Sequence, residues 1–266
     1  MTTFAPPTVS STMPERAPLD RVNPVTKVLA VLILSIPLLL TIDWVSASVA
    51  VLLEAALFPL SGLRLLPFLK RALPVLVFAP IGGLSMLLYA KPGGTEYWSF
   101  GFMRITENSI ELAVAVTIRV LALGLPTILL FARVDPTDLA DGLSQIARLP
   151  SRFVLGILAG ARMLGLFIED WRSMALARRA RGLGDRGVVR RFASMAFVLL
   201  VFAIRRGSKL ATAMEARGFG APIPRTWARP SRLGWIDAVA VFSTITIMAI
   251  ALAAAVFAGT FRFVGQ

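Results

Sequence analysis

Apolar residues gather along this chain in long unbroken runs, at roughly 25–42, 44–61, 72–90, 109–131 and 235–257. A helix needs about 20 mostly apolar residues to cross a bilayer's hydrocarbon core, so these runs predict about five spanning helices and an all-α integral membrane protein. The first opens at Asn23-Pro24, an N-cap residue followed by proline at the first helical position, where its missing N–H does no harm. A tight turn near Asp43-Trp44 separates the first two. The third holds Pro74, Pro80, Gly82 and Gly83 and is expected to be kinked or broken. Two further runs, 153–168 and 192–204, lie in polar surroundings, and the second has only 13 residues. Both are expected to be helices at or below the membrane surface. Crossing by both is the alternative.

Basic residues set the expected orientation. Arg16, Arg21 and Lys27 precede or open the first span, and Arg64, Lys70 and Arg71 lie between the second and third. The positive-inside rule therefore predicts a cytoplasmic N-terminus, with Asp43 on the opposite side. The stretch 90–108, with Lys91, Glu96, Trp98 and Arg104, becomes an external loop carrying an interfacial aromatic. Residues 133–232 hold eighteen Lys or Arg against seven Asp or Glu, which is nearly all of the net charge of +13. The expected organisation is a disordered tail at 1–18, rich in proline (Pro6, Pro7, Pro14, Pro18), and a membrane domain of about four helices at 19–132. A basic cytoplasmic domain at 133–232 and, at 233–266, a last span that ends in Phe261-Arg262-Phe263 outside, with a short external tail, complete it. The tail has no apolar core, so it does not read as a cleaved signal.

Composition narrows the chemistry. With 56% hydrophobic and 16% charged residues, the chain is far more apolar than a soluble domain. It has no cysteine and no histidine, so the commonest general base, thiolate nucleophiles and the usual zinc ligands are missing. No Gly-x-x-x-x-Gly-Lys-Ser/Thr loop occurs, so no P-loop ATP site is encoded. A charge of +13 in so apolar a chain reads as cytoplasmic-side lysine and arginine rather than a nucleic-acid surface. Asp135, Asp138 and Asp141, three apart, resemble a metal–diphosphate cluster of a membrane transferase. Their place at an Asp-Pro helix start is better explained by N-terminal capping. Glu54 and Arg119 fall at similar depth in the second and fourth spans and are expected to pair. Gly156, Gly160 and Gly165 form a small-residue face suited to a close helix crossing.

The most informative feature is a repeat. Residues 175–184 read Ala-Leu-Ala-Arg-Arg-Ala-Arg-Gly-Leu-Gly and residues 211–220 read Ala-Thr-Ala-Met-Glu-Ala-Arg-Gly-Phe-Gly, so Ala-Arg-Gly-apolar-Gly recurs after 36 residues. Glycine followed by an apolar residue, Leu183 or Phe219, is a helix stop, and arginine near a helix C-terminus complements the dipole. The preceding alanine permits close approach, and an arginine fork grips a carboxylate. Helix capping, contact with lipid headgroups and docking to a partner all fit these residues.

The ordered pair Ala180-Arg181-Gly182 and Ala216-Arg217-Gly218 before a final span resembles the transmembrane coupling component, or T component, of energy-coupling factor (ECF) vitamin transporters. Leu19-Asp20-Arg21-Val22-Asn23-Pro24-Val25-Thr26-Lys27, Asp135-Pro136-Thr137-Asp138-Leu139, and Arg162-Met163 leading through Glu169 resemble the same family, over about residues 19–258. The resemblance implies a non-catalytic subunit of an ABC-type importer in a bacterial cell membrane. Two cytoplasmic ATPases would each receive one motif-bearing helix, and ATP and magnesium would be bound by those partners, leaving no cofactor in this chain. A small membrane-embedded S component would bind the vitamin or micronutrient. Arg181 and Arg217 would make the docking contacts, Ala180 and Ala216 the close approach, and Gly182 and Gly218 the helix stops. Phe153, Leu155, Leu158, Phe192, Phe197, Leu200 and Phe202 are the candidate S-component contacts. The alternatives are a permease subunit of a conventional ABC transporter and a membrane-embedded transferase.

Overall fold

A computed structural model of the chain describes residues 18–41, 43–90, 93–100, 103–182, 187–221 and 226–261. Pro18, expected to end the N-terminal tail, opens a 3₁₀ turn, Pro18–Arg21, whereas residues 1–17 of that tail, Leu183, Gly184, Lys91 and the chain beyond Phe261 lie outside the described residues. Within them the architecture is helical. The helices are α1 (Pro24–Leu40), α2 (Trp44–Leu57), α3 (Leu65–Tyr89), α4 (Glu107–Phe131), α5 (Pro136–Gln145), α6 (Ser151–Ala180), α7 (Val188–Ala216) and α8 (Trp235–Phe257). One antiparallel hairpin, β1 (Glu96–Phe100) and β2 (Met103–Thr106), joins α3 to α4 where only a loop was expected. The chain divides into two compact units, one formed by 1–135 with 232–266 and the other by 136–231.

The first unit is a bundle in which α1, α2, α4 and α8 share a core of Leu34, Leu38, Ala47, Ala50, Ala122, Ile247, Met248 and Ala251. Alanine dominates the buried positions, which lets the helix backbones approach closely, as helices must where lipid supplies no hydrophobic drive between them. Large apolar side chains such as Leu32, Ile36, Leu52, Leu73 and Phe78 point outward, the surface a bilayer requires.

Five described helical segments are long and apolar enough to cross a membrane: Trp44–Ser61, Leu65–Tyr89, Glu107–Phe131, Ser151–Ala180 and Trp235–Phe257. This set differs from the sequence expectation in two places. α1 is apolar but has 17 residues, and α6, expected at the surface, qualifies by length and composition. The second span ends as a 3₁₀ turn, Phe58–Ser61, because Pro59 withholds an N–H and Gly62, at φ +69°, reverses the chain.

α3 is the clearest correction. It runs unbroken for 25 residues from Leu65, seven residues earlier than expected, with Pro74 and Pro80 inside it. Each proline deletes one backbone hydrogen bond, but packing on α4 holds the segment. At Gly83 an added Cβ would meet the Thr117 hydroxyl and come within 2.8 Å of the Ala113 carbonyl; at Gly124 it would lie 2.6 Å from Val75. These glycines are the contact between the two helices. Gly83→Val is expected to destabilise the bundle by about 1–3 kcal/mol through overpacking. Gly82, whose added Cβ meets nothing, is the matched control. Thermal unfolding of the purified chain in detergent reads the difference, and equal effects at the two positions would refute the close-contact assignment.

One end of the bundle is closed by polar ties. Arg133 pairs with Asp20 at 3.0 Å, and Arg71 donates to the Ala132 carbonyl at 3.0 Å. Asn23 caps α1 through its side chain, which accepts from Val25 N–H at 3.0 Å. The buried carboxylate of Asp237, in the first turn of α8, accepts from Asn23 N–H and from Gly234 N–H, each at 2.7 Å. A single side chain thereby caps its own helix and holds the start of α1.

In the second unit, α6 packs on α5 and α7. The α6–α7 pairing is fixed by a two-point ion pair between Arg206 and Asp170, by Arg178 donating to the Ser194 hydroxyl, and by Trp171 packing on Phe192 with ring centroids 5.4 Å apart.

Candidate functional site

Both Ala-Arg-Gly motifs terminate long helices in nearly the same conformation. Ala180 is the last residue of α6 and Ala216 the last of α7. Arg181 (φ −89°, ψ 8°) and Arg217 (φ −90°, ψ 11°) are the C-caps. Gly182 (φ +67°) and Gly218 (φ +73°) take the left-handed conformation that residues with a Cβ adopt only with strain.

The second copy is a full Schellman stop: Gly218 N–H bonds to Glu215 O at 2.9 Å and Phe219 N–H to Met214 O at 2.9 Å. In the first copy Gly182 N–H bonds to Arg179 O at 3.0 Å, the matching inner bond. The arginines therefore occupy the last position before the chain turns away, which leaves their guanidinium groups clear of the helix. All six motif residues are exposed. Among the described residues neither Arg181 nor Arg217 has a side-chain hydrogen bond or ion pair, so two charged forks with five donors each face outward.

The apolar candidates divide. Phe153, Phe192, Phe197, Leu200 and Phe202 are exposed, from 39% for Phe202 to 72% for Phe153, whereas Leu155 and Leu158 are half-buried. Phe192 also packs on Trp171. Two residues not singled out from sequence belong with them: Ile157 is as exposed as Phe153, and Leu164 as exposed as Phe192. Gly156, Gly160 and Gly165 face open space, with nothing within 4 Å of an added Cβ, so the close crossing expected there is not made among the described residues.

Two further expectations are corrected or bounded. Glu54 and Arg119 do not pair: both Glu54 carboxylate oxygens and Nε and Nη2 of Arg119 are buried without hydrogen-bond partners. Asp43, at the start of α2, caps that helix with Oδ2, which accepts from Ser46 N–H at 2.6 Å. Glu54 lies instead beside a largely apolar cavity of about 290 Å³ between α1, α2, α4 and α8. Asp138 and Asp141 lie on α5, and no three His, Cys, Asp or Glu among the described residues gather as an ion site.

Sequence reading missed the polar ties of the second unit. Arg152 donates to the Gly220 carbonyl at 2.6 Å, just past the second motif. Gln145 Nε2 donates to the Arg229 carbonyl at 2.9 Å while its Oε1 accepts from Ser231 N–H at 2.8 Å.

The chain is similar in sequence to curated proteins along most of its length. The EcfT transmembrane protein of an energy-coupling factor transporter from Brevibacillus brevis is 28% identical over 253 residues, covering 90% of this chain and 94% of the relative. EcfT proteins of Bacillus selenitireducens and Ruminiclostridium cellulolyticum are 28% and 25% identical over 93% and 91% of the chain, and 96% and 94% of their own lengths. The family model described as CbiQ, cobalt transport protein, matches residues 15–226, a span that takes in both motifs. The chain belongs to the CbiQ family, as the resemblance carried by its paired motifs predicts.

Proposed function

We infer that the chain is the transmembrane coupling subunit of a bacterial ECF-type importer, with its N-terminus in the cytoplasm. Two cytoplasmic ATPases each take one motif-bearing helix end, and a separate small membrane subunit presents the vitamin or micronutrient. The observation that carries this reading is the duplication: two long helices end in the same C-cap arginine and left-handed glycine, with both guanidinium groups exposed. Helix termination accounts for Gly182 and Gly218. It does not account for two exposed arginines at the same C-cap position, each preceded by a residue with no side chain beyond Cβ. An acidic groove on an ATPase supplies the carboxylates those forks are shaped to hold.

ATP binding closes the ATPase pair and moves the two helix ends. The exposed apolar and glycine-lined face of α6, with the exposed apolar residues of α7, passes that movement to the substrate-binding subunit. On this reading α6 and α7 lie at the cytoplasmic surface, and the basic residues 172–191 remain on the positive side.

The test is copurification from the native host. The tagged chain is expected to bring down ATPase subunits in a two-to-one ratio with itself, together with one small membrane protein. Purification of the chain alone, with metal-dependent transferase activity, would overturn the proposal.

A further inference from the structure

The corner between α5 and α6 grips the chain on both sides of the stretch that follows the second motif. On the near side, Arg152, in the first turn of α6, donates to the carbonyl of Gly220, two residues beyond the left-handed Gly218. Gly220 is itself left-handed at φ +92°, and an added Cβ would lie 3.7 Å from Arg152 Nε, so the carbonyl and the guanidinium meet in a close fit.

On the far side, Gln145, the last residue of α5, bonds at both ends of its amide to Arg229 and Ser231. The glutamine amide therefore bridges the backbone on either side of Pro230, donating to the carbonyl before it and accepting from the N–H after it. Pro230 itself has no N–H to lose there. Glutamine is suited to this position because it supplies one donor and one acceptor at a fixed spacing. The corner is itself shaped by Arg148, the one described non-glycine residue with positive φ, at 53°.

We propose that Gln145 and Arg152 are positioning residues that bind the segment after the second motif to the α5–α6 corner, so that displacement of Arg217 reaches that corner instead of being absorbed by slack chain. The inference rests on the docking role proposed for Arg217. It adds an asymmetry: the end of α7 drives the base of α6 directly.

The chain has no cysteine, so spin labels report on chosen sites alone. In the isolated full-length chain, labels at Leu149→Cys and Ala221→Cys give a narrow distance distribution. In the Gln145→Ala/Arg152→Ala background its width is expected to grow about twofold, as three hydrogen bonds that each favour the closed state by a factor of about 5 are lost. Gln145→Glu, which keeps the acceptor for Ser231 N–H and loses the donor to Arg229, falls between. An unchanged width overturns the proposal.

In the ATPase-bound complex, a non-hydrolysable ATP analogue is expected to change the signal of a label at Ala213→Cys, beside the motif, and of one at Leu149→Cys. In the double alanine variant the Ala213 response persists while the Leu149 response falls about fivefold. Persistence of both responses at full size overturns the proposal. Silence of Ala213 in the otherwise unchanged chain overturns the docking reading instead, and the distance width in the isolated chain still decides the grip.

Discussion

Reversing both motif charges, Arg181→Glu with Arg217→Glu, is expected to abolish retention of the ATPases, with each single change weakening it at least about tenfold. The estimate follows from what is lost and gained. Each arginine is exposed and has no described partner, so its replacement leaves the chain's own packing and ion pairs intact. At the interface, a bidentate charge-assisted pair is replaced by two like charges, and truncating one partner of such a buried pair alone costs about 2–5 kcal/mol. Quantitative pull-down at fixed salt measures the effect. Arg181→Lys and Arg217→Lys keep the charge but lose the fork, and are expected to retain partial binding. Full retention in the double glutamate variant would remove the motifs from the interface.

Asp237→Ala is expected to lower the stability of the membrane bundle by about 3 kcal/mol, more than any other single polar change considered. Its carboxylate is 6% exposed and accepts two backbone N–H bonds at 2.7 Å, one from its own helix start and one from the start of α1. Removing it takes the charged acceptor from both donors at once. Asp237→Asn keeps one acceptor oxygen and is expected to cost about half as much. Thermal unfolding in detergent separates the three proteins, and equal stability of the alanine variant would show that the donors find other partners. ATPase retention should be unaffected, because the motifs lie on other helices.

Much of this was legible in the sequence, and the failures have a common cause. The last span was read residue for residue as Trp235–Phe257, since an uninterrupted apolar run bounded by Gly234 and Gly259 leaves no ambiguity. The cap at Asn23 and the left-handed glycines of the motifs were equally readable, because their chemistry is local. α3 was begun too late because Lys70 and Arg71 look like loop, although a helix entering a membrane carries basic residues on its first turns. The proposed Glu54–Arg119 pair failed because similar depth says nothing about rotation about the helix axis: the charged atoms of both side chains are buried, yet they do not meet. Gln145, Arg152 and Asp237 act between segments about 70 to 210 residues apart, and no periodicity in a single sequence encodes such pairings.

The closure of the bundle has a consequence for how the protein is made. α1 packs against α8, and about 190 residues separate them, so at about 5–20 residues per second a ribosome delivers the first span some 10–40 s before its partner exists. During that interval Leu34 and Leu38 have no α8 to meet, and Asn23 N–H waits for Asp237. The whole basic unit is synthesised while the membrane bundle stands open, and the last span acts as the keystone. A chain truncated before Trp235 is therefore an unfinished bundle, in which Leu34 and Leu38 never gain the α8 residues they pack against.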